Sequence, residues 1–599
     1  MFETNNSIDC FDYVSNAYVV YGSNVNTSRA FPSIYDGLKP VQRKIILASY
    51  EVSKEKEVGS ANIVGYTISN YHPHGDCLIG STQVLLSDYS INTVEELTNI
   101  NKPQKVFSVD LKTGRIVESV AENFREVKKD NLWTIKFSDG GCLRCSGNHP
   151  ILMRDKTYKK AEDLKLGDLV FSLEIFKDKK SKLCELEYTL SSVVEFSHLD
   201  DEIILYDFTV PGYENMLIKT SDNTLLCVHN SGVYKALVNM VNAEDPVISG
   251  HGAFGYKGGL VEIDAAHMRY TAAGLNKFGN SLFCEYINYV EKEENELYNM
   301  EQKYLPTPIP YALLNGSVGI GLGATTNIPA CTVSSIEKWI ASYLKNNDDS
   351  KLIIPKYTFV ENKEELKSFN ETGTGTFIFY AKVEKQKDKS IIVSDIPIHI
   401  QPNRLLKEFK VELQSRLVTI IQLNDEKNNP IIKIEKAPHV RSINVDEIFE
   451  RTKKCMTKSI SFKSVVTDGK KAYIFSPRNW LKFTVDNYKS FVIFGLKREL
   501  ESLEEAILYN KVKKELADLF LQKKTNEEIL QYFADKNIHI KESSLLKWSK
   551  KAISTLRADE VPVETLLSKM QEIKSNLINI NDYTLNKVKG ILKISNVTD

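Results

Sequence analysis

The feature that most constrains the fold of this chain is a change, at two points, in the type of secondary structure that the sequence pattern predicts. Residues 25–76 have a helical pattern with a basic, loop-like centre, SRAFPSIYDGLKPVQRK. From about residue 80 to residue 230 the chain carries short β-rich runs, such as KVFSVD and LWTIKFSDG, separated by Gly, Asn and Asp turns. A helical pattern begins again at Ser231 with SGVYKALVNMV. The pattern predicts an all-β domain, residues 77–230, inserted into a multidomain α/β protein.

Length and composition narrow the class of protein. The 599 residues exceed one domain several-fold, and 42% hydrophobic with 26% charged residues is typical of globular proteins. The net charge of −1 excludes a uniformly basic nucleic-acid-binding chain. The sequence opens without a secretory signal, and its longest uncharged run, 304–336, is too polar for a membrane span. We therefore expect an intracellular protein whose nine cysteines are reduced.

Beyond the β-rich block, apolar spacing predicts a mixed α/β region to about residue 475 and a helical end. Apolar residues recur at 4-3-4 spacing over 496–507 and, after a phase shift, over 508–519. A second stripe covers 563–580, with a shorter helical insert at 525–555 between the two. These helices are expected to pack either as an antiparallel coiled coil with a globular tip or as an ordinary helical bundle.

The ends of the β-rich block carry the groups that a self-excising domain needs. Cys77 is its first residue, and a thiol next to a peptide carbonyl can capture the acyl group as a thioester. Asn230 is its last residue, and its side-chain amide can attack its own carbonyl to form a succinimide. The hydroxyl of Ser231 can then accept the acyl chain. His229 and His149 can move protons or polarise the scissile carbonyls.

This arrangement resembles an intein of the Hint fold. The stretches CLIGSTQVLL, GCLRCSGNHPILM, LYDFTVPGYENMLI and CVHNS are similar to the splicing blocks of that family, in the same order. The resemblance implies that splicing needs no cofactor. It also implies a set of splicing residues, in chain order Cys77, His149, Asp207, His229, Asn230 and Ser231.

Two positions depart from the intein pattern. Ser146 stands where threonine is usual, and Glu214 stands where many inteins carry a histidine, which leaves open the proton relay for asparagine cyclisation. The block is too short for a homing endonuclease and has no LAGLIDADG-like stretch, so a mini-intein is expected. An alternative is a zinc site at Cys142, Cys145 and His149, but no fourth ligand has suitable spacing.

Joined across the block, the flanks show a second resemblance. They read ISNYHPHGD–SGVYKALVNMVN, which resembles the YHPHGDSAVYD segment of the A-type chain of bacterial gyrase. SRAFPSIYDGLKPVQRKI, SGHGAFG, AAHMRYT, IPYALLNGSVGIGLGATTNIP and DIPIHIQPNRL are similar to further motifs of that gyrase chain, in the same order. The flanks thus resemble the type IIA DNA topoisomerases. The resemblance implies a winged-helix domain in two parts, 1–76 and 231–300, a tower domain, 301–475, and a coiled coil with a C-gate, 476–599.

The resemblance also implies a reaction. Tyr270 would attack a DNA phosphate to leave a 5′-phosphotyrosyl link, which conserves bond energy so that religation needs no ATP. A phenol is mostly protonated at neutral pH, so nearby cations or a metal must favour the phenolate. Arg269 would stabilise the pentacoordinate phosphate. His72 and His74 would line the site, with one assisting proton transfer.

The same resemblance assigns further contacts with double-stranded DNA. Ile320, in the NGSVGIG turn, matches the residue that wedges between base pairs and bends DNA; without the motif, a core isoleucine is the alternative. Phosphate or DNA contacts are implied for four other residues, namely Arg29, Lys39, Arg43 and Ser231.

Two parts of a complete topoisomerase are missing from the sequence. It has no G-x-x-x-x-G-K-[ST] loop and no Asp-x-Asp cluster suited to Mg²⁺, so no metal site is expected in this chain. The resemblance implies that a gyrase-B-like ATPase/Toprim subunit binds ATP and Mg²⁺, together with a homodimer of this gyrase-A-like chain. The chain also lacks a β-pinwheel and in this resembles the medium subunits of T-even-type phage topoisomerases. Relaxation and decatenation, in the cytoplasm of a bacterial or phage-infected cell, are expected rather than supercoiling.

Three alternatives differ in chemistry. A Hint domain could cleave without ligating, although the YHPHGD motif continues across the excision point. A tyrosine recombinase or nuclease would need an Arg/His constellation unlike this one. An inactive structural subunit stays open, because the presence of Tyr270 does not prove that it reacts.

Overall fold

The computed structural model describes most of the chain. The described residues are 26–54, 56–71, 78–100, 102–110, 115–147, 149–154, 158–177, 184–210, 215–221, 224–229, 233–255, 258–261, 263, 265–266, 268–295, 299–321, 324–357, 359, 362–424, 430–550 and 562–594. No helix within these ranges is long and apolar enough to cross a membrane.

The segment before the β-rich block is mostly helical, as predicted. It contains a π-helical turn, Asn26–Ala30, then α1 (Pro40–Ser53), β1 (Val58–Gly59) and α2 (Ser60–Asn70). α1 begins at Pro40 because the first turn of a helix does not need the N–H that proline lacks. It ends at Lys54, whose φ of 43° is left-handed.

The β-rich block, called the insert from here on, is almost wholly β structure. Its elements are β2 (Leu78–Ile79), β3 (Gln83–Leu85), β4 (Ile91–Thr93), α3 (Val94–Ile100), β5 (Gln104–Val109), β6 (Ile116–Phe137), β7 (Cys142–Ser146), β8 (Pro150–Leu152), β9 (Tyr158–Lys160), the 3₁₀ turn Ala161–Asp163, β10 (Leu169–Lys177), β11 (Cys184–Thr209), β12 (Asn215–Lys219) and β13 (Thr224–His229). The strands form one sheet in the order β4-β3-β12-β13-β10-β11-β2-β7-β6-β5, with β8 and β9 branching from β13.

The insert has hydrophobic cores of its own. Three clusters of buried side chains contain residues from between Leu78 and Val228 and none from the flanks. The other four described clusters consist of flanking residues alone. Because a domain is a unit with its own core, the insert is a separate domain, as the change of sequence pattern predicted.

The chain segments before and after the insert, the two flanks, pack against each other. After the insert come α4 (Val233–Val241), β14 (Ile248–His251), the 3₁₀ turn Met268–Tyr270, β15 (Ala272–Leu275), α5 (Lys277–Phe283), the 3₁₀ turn Ile287–Tyr289, β16 (Lys292–Glu294), β17 (Met300–Gln302), α6 (Tyr311–Asn315), β18 (Ser317–Ile320), β19 (Thr325–Ile328) and α7 (Val333–Asn346). β1, before the insert, pairs with β15, after it, in the sheet β1-β15-β14. Side chains of α1, α2 and α4 share one cluster, the main core, so the two flanks form a single unit.

A second flanking unit follows. Its elements are α8 (Lys363–Thr372), β20 (Thr374–Tyr380), β21 (Lys382–Lys385), β22 (Ile391–Ser394), α9 (Arg404–Glu408), α10 (Lys410–Gln414), β23 (Val418–Asn424), β24 (Pro430–Lys436), α11 (Val445–Cys455), β25 (Thr457–Lys463), β26 (Val465–Thr467) and β27 (Ala472–Ile474). Its cluster, the distal core, runs from Leu366 to Phe462 together with Leu260. The boundary expected at residue 301 differs from this packing, because buried residues from Leu305 to Ile353 belong to the main core.

The helical end contains the predicted long helices. They are α12 (Pro477–Leu521), α13 (Asn526–Asp535), α14 (Glu542–Ser549), α15 (Val563–Ile578) and α16 (Ile580–Ile594). α12 is 45 residues long and packs against α15. Beyond Tyr509 its apolar side chains pack with α13 and α14 in a small tip cluster. α16 returns to the main core through Leu585 and Val588.

Candidate functional sites

Tyr270, the predicted nucleophile, lies at the surface on a rigid turn. It ends the 3₁₀ turn Met268–Tyr270, in which Met268 is buried. The Tyr270 side chain is 71% exposed, and Arg269 beside it is exposed as well. β15 follows at once and pairs with a strand on each side. An exposed phenol on a fixed backbone is suited to attack a large external substrate.

Gly252 shows how closely the backbone packs behind this tyrosine. Its φ is +102°, and a Cβ atom there would lie 2.8 Å from the carbonyl oxygen of Tyr270. An L side chain at this position would therefore meet both backbone strain and a steric clash. The glycine, in the SGHGAFG motif, thus lets β14 approach the Tyr270 peptide.

Ile320, the predicted wedge, is 84% exposed at the end of β18. Behind it, a Cβ atom on Gly319 would lie 2.2 Å from the carbonyl oxygen of Ala30. The β18–β19 hairpin is thus pressed against the Asn26–Ala30 turn, which also carries the exposed Arg29. The alternative of a core isoleucine is wrong, because a core side chain would be buried.

Lys39 lies beside the same hairpin. Its Nζ donates a hydrogen bond of 2.7 Å to the carbonyl oxygen of Val318, and partial burial lowers the pKa of its ammonium. Through these contacts the structure brings together Arg29, Lys39 and Ile320, three of the residues to which the sequence assigns DNA contacts.

Arg43 is placed differently from the prediction. Its guanidinium donates to both carboxylate oxygens of Asp36, at 2.7 Å and 3.3 Å. Asp36 is fully buried and also accepts from the backbone N–H groups of Leu38 and Leu305. The Arg43 guanidinium thus forms an ion pair with an internal carboxylate, while 14% of its side chain is exposed.

Several predicted residues lie outside the described part of the chain. These are His72, His74, Cys77, Glu214, Asn230 and Ser231. The residues just before them are held firmly: the hydroxyl of Tyr71 donates to Glu51 at 2.9 Å. The carbonyl oxygen of Asn70 accepts from the side-chain amides of Asn295 and Asn299, at 2.8 Å and 3.2 Å. The end of α2 that leads into YHPHGD is therefore fixed by the flank itself.

His149 lies inside the insert, as a splicing histidine would. It is fully buried and directly follows the β7 turn, where its backbone N–H donates to the carbonyl oxygen of Ser146. Ser146, the departure from threonine, is buried too. Asp207 lies on β11 opposite Arg125, and His229 lies on β13 opposite Asn215.

Asn215 was missed by the sequence interpretation. It is fully buried, its Oδ1 accepts from the backbone N–H of Val109 at 2.7 Å, and its Nδ2 donates to the carbonyl oxygen of Val109 at 3.0 Å. Its own carbonyl oxygen accepts from Ser108. One side chain thus ties β12 to β5 beside the strand that carries His229. The asparagine in PGYENMLI was the available signal.

The zinc alternative receives no support. Cys142 and Cys145 lie three residues apart on β7, and side chains at odd spacing on a strand point to opposite faces. Among the described residues, no group of three His, Cys, Asp or Glu side chains converges as a metal site. Reduced thiols are present at Cys142, Cys227, Cys284, Cys331 and Cys455.

The chain thus consists of two kinds of unit. The insert is a β domain with its own core, and the flanks form an α/β protein in which Tyr270 and Ile320 are exposed at the surface. The comparisons with known proteins follow this division. The model of the A-subunit family of DNA gyrase/topoisomerase IV matches residues 29–98 and 229–595. The model of the intein splicing domain matches residues 84–230.

Curated relatives carry matching names. The DNA gyrase A subunit of Clostridium acetobutylicum is 25% identical over 318 residues, covering 46% of this chain and 38% of that protein. The DNA gyrase A subunit of Buchnera aphidicola is 25% identical over 401 residues, 58% and 48% of the two chains. The DNA topoisomerase 4 A subunit of Staphylococcus aureus is 23% identical over 408 residues, 61% and 50%. The chain spans half or less of the length of these relatives.

The chain belongs to the A-subunit family of DNA gyrase and topoisomerase IV, and an intein splicing domain interrupts it. Both resemblances found in the sequence are thereby confirmed at the level of the family.

Proposed function

We propose that the flanks form the DNA breakage–reunion subunit of an ATP-dependent type II topoisomerase. The observation that carries this proposal is the 71% exposed Tyr270, on a turn that Met268 anchors in the core, in a chain of this family. The phenolic oxygen of Tyr270 attacks a DNA phosphorus, a P–O bond to tyrosine forms, and the bond to the 3′ oxygen breaks. The reverse attack by the 3′ hydroxyl reseals the strand without ATP.

The surface around the hairpin supports DNA binding in this proposal. Arg29 and Lys39 supply positive charge next to Ile320, and an exposed apolar side chain beside cations suits insertion between base pairs. Arg269 is adjacent to the nucleophile and stabilises the charged phosphorane. His72 and His74 complete the site in the proposal, with proton transfer as their role.

Other parts of the reaction are assigned to a partner. The described residues of this chain do not fit a magnesium site, because no three suitable side chains converge. We therefore place Mg²⁺ and ATP in a gyrase-B-like ATPase/Toprim subunit, which joins a homodimer of this chain on double-stranded DNA in the cytoplasm. The main core with its flanking strands corresponds to a winged-helix unit, the distal core to a tower, and α12 to α16 to a coiled coil with a C-gate. Relaxation and decatenation are the proposed outcomes.

The second part of the proposal is protein splicing by the insert. The Cys77 sulfur attacks the preceding carbonyl carbon, displacing the Cys77 nitrogen and forming a thioester, and the Ser231 hydroxyl then takes over the acyl group. Asn230 cyclises, which releases the insert, and the ester rearranges to a peptide bond. His149, Asp207 and His229 are the proposed proton-transfer and polarising residues.

Ligation is favoured over cleavage alone by the packing of the flanks. α2 and α4, which enter and leave the insert, share the main core. The helices on the two sides of the insertion are therefore packed together before the reaction, which favours capture of the acyl chain by Ser231.

Three variants test the proposal. Tyr270→Phe removes one hydroxyl and no charge, so it should abolish covalent DNA–protein complexes under denaturing conditions while splicing and DNA binding persist. If the Tyr270→Phe variant still forms covalent adducts, another residue is the nucleophile. If the unmodified complex forms no adducts, the result favours an inactive, structural subunit. Ser231→Ala should block ligation, whereas Ser231→Cys should still splice. Two separate fragments from the unmodified chain would indicate a Hint domain that cleaves without ligating.

A further inference from the structure

Thr271, the residue after the proposed nucleophile, lies at a junction of hydrogen bonds inside the protein. The side chain is buried, and its Oγ1 donates to the Oγ of Ser60 at 2.8 Å. The same Oγ1 lies 3.2 Å from the hydroxyl oxygen of Tyr234 and 3.3 Å from the carbonyl oxygen of Met268. One hydroxyl thus lies within hydrogen-bond distance of three other residues, and its single proton is donated to one of them at a time.

The two side-chain partners come from opposite sides of the insert. Ser60 is the first residue of α2, before the insertion, and Tyr234 lies on α4, after it. Tyr234 is itself anchored, because its hydroxyl donates to the carbonyl oxygen of Ala266 at 2.6 Å. Burial raises the pKa of this phenol, which keeps it protonated as a donor.

The backbone at the nucleophile is held from both sides as well. The carbonyl oxygen of Thr271 accepts from the N–H of Ser60 at 2.9 Å. On the other side, Gly252 packs so closely that an added Cβ would lie 2.8 Å from the carbonyl oxygen of Tyr270. The peptides on both sides of the Thr271 Cα are therefore held by neighbouring parts of the chain, while the Tyr270 side chain extends to the surface.

We infer that Thr271 is a positioning residue for DNA cleavage, which sets the direction of the Tyr270 side chain by joining its turn to both flanks of the insert. The inference rests on the proposed function of Tyr270. In-line attack requires the phenolic oxygen to lie within a narrow range of position and angle, and a displacement of about 1 Å can reduce the rate on the order of 100-fold.

A matched pair of variants separates positioning from packing. Thr271→Val keeps the shape of the buried side chain and removes the hydroxyl, whereas Thr271→Ser keeps the hydroxyl and removes a methyl group. If Thr271 only fills space, valine is the milder change. If it positions the turn, serine is the milder change.

The experiment uses a labelled DNA duplex and the spliced chain in complex with its ATPase/Toprim partner. At saturating DNA, Thr271→Val should lower the rate of covalent complex formation by about 10- to 100-fold, with the dissociation constant for DNA changed less than about twofold. Thr271→Ser should stay within about threefold of the unmodified rate. A valine variant that cleaves at the unmodified rate, or a serine variant that is slower than valine, would overturn the inference.

Two further variants keep the inference testable if Thr271→Val does not fold. Ser60→Ala and Tyr234→Phe each remove one arm of the junction and should each slow cleavage. In the Thr271→Val background, if it folds, Ser60→Ala should cause no additional loss, because the shared interaction is already absent. Unmodified rates in both single variants would contradict the inference. Covalent complexes in the Tyr270→Phe variant would instead refute the proposed function, so the two failures are distinguishable.

Discussion

Lys39 and Val318 are 279 residues apart in the sequence, yet the Nζ of Lys39 donates a 2.7 Å hydrogen bond to the carbonyl oxygen of Val318. The bond fastens the loop before α1 to the hairpin that carries Ile320. Gly319, in the same hairpin, packs against Ala30. The exposed isoleucine is therefore held in position by contacts between its hairpin and the N-terminal flank. The position of this proposed wedge therefore depends on residues far from it in the chain.

Lys39→Met should weaken DNA binding and reduce its dependence on salt. Methionine keeps an unbranched stem but removes both the charge and the donor to Val318, so the slope of log affinity against log salt should fall by about 1. Fluorescence anisotropy over a salt series measures this slope. Lys569→Met, at an exposed position on α15, is the matched control. An unchanged slope in Lys39→Met would contradict a phosphate contact.

Ile320→Ala should reduce DNA bending with little effect on stability. The side chain is exposed, so its loss should change the free energy of unfolding by less than about 0.5 kcal/mol. Energy transfer between dyes at the ends of a short duplex reports the bend angle. Ile578→Ala is a suitable control because that isoleucine is 82% exposed at the end of α15, away from the hairpin in the sequence. Equal bending by Ile320→Ala and the unmodified protein would rule out the wedge.

The sequence predicts local features of this fold well and long-range features poorly. The insert was visible because the apolar period changes from helical to alternating, which is a property of neighbouring residues. Tyr270 and Ile320 were visible because each lies in a short motif. Thr271 and Asn215 were not, because their importance lies in contacts with residues more than a hundred positions away.

The placement of Arg43 shows a second limit. A basic residue in KPVQRK has the composition of a phosphate contact, but its direction depends on Asp36, which is buried by residues from elsewhere in the chain. A domain boundary near residue 301 is hard to place from the sequence for the same reason. Apolar runs such as IPYALLNG do not show which of two cores they enter, and here they enter the main core.

The chain carrying Cys77→Ala together with Asn230→Ala should remain an unspliced 68.0 kDa protein with a folded main core. α2 and α4 already pack together with the insert present, so the flanks should melt at the temperature of the spliced protein. DNA cleavage should nevertheless be absent, because the insert separates the YHPHGD stretch from the SGVY stretch that follows it in the spliced chain. Calorimetry and a covalent-complex assay, both in the presence of the ATPase/Toprim partner, measure the two properties. Normal cleavage by this chain would show that excision is unnecessary.

Asn215→Ala should destabilise the insert and leave the flanks unchanged. The substitution leaves the buried N–H and carbonyl groups of Val109 without their side-chain partner, at a cost of about 3 kcal/mol. Hydrogen exchange of β5 and β12, measured in the splicing-blocked chain, should quicken, while exchange in α12 stays the same. Asn99→Ala, at an exposed position of α3, is the control. Equal loss of protection in the insert and the flanks would contradict a local role.

The distal core should lose stability as the pH falls from about 6.5 to about 4. The ring of His399 lies 5.2 Å from that of Phe379 and 5.5 Å from that of Phe462, between centroids. Burial, together with the nearby ammonium of Lys458, lowers the pKa of His399 to about 4. In the unfolded chain a histidine has a pKa of about 6.5, so between these values the unfolded state binds a proton that the folded state resists.

The sign of this effect follows from the lowered pKa. Above about pH 6.5 both states are neutral and the group adds no pH dependence, whereas acidification to about pH 4 should cost about 2 to 3 kcal/mol. Hydrogen exchange of β20 and β25, corrected for intrinsic rates, measures the loss. His399→Phe keeps an aromatic ring that does not titrate, so it should remove this component while leaving the titration of carboxylates elsewhere unchanged. The same pH dependence in both proteins would show that His399 is not the group responsible.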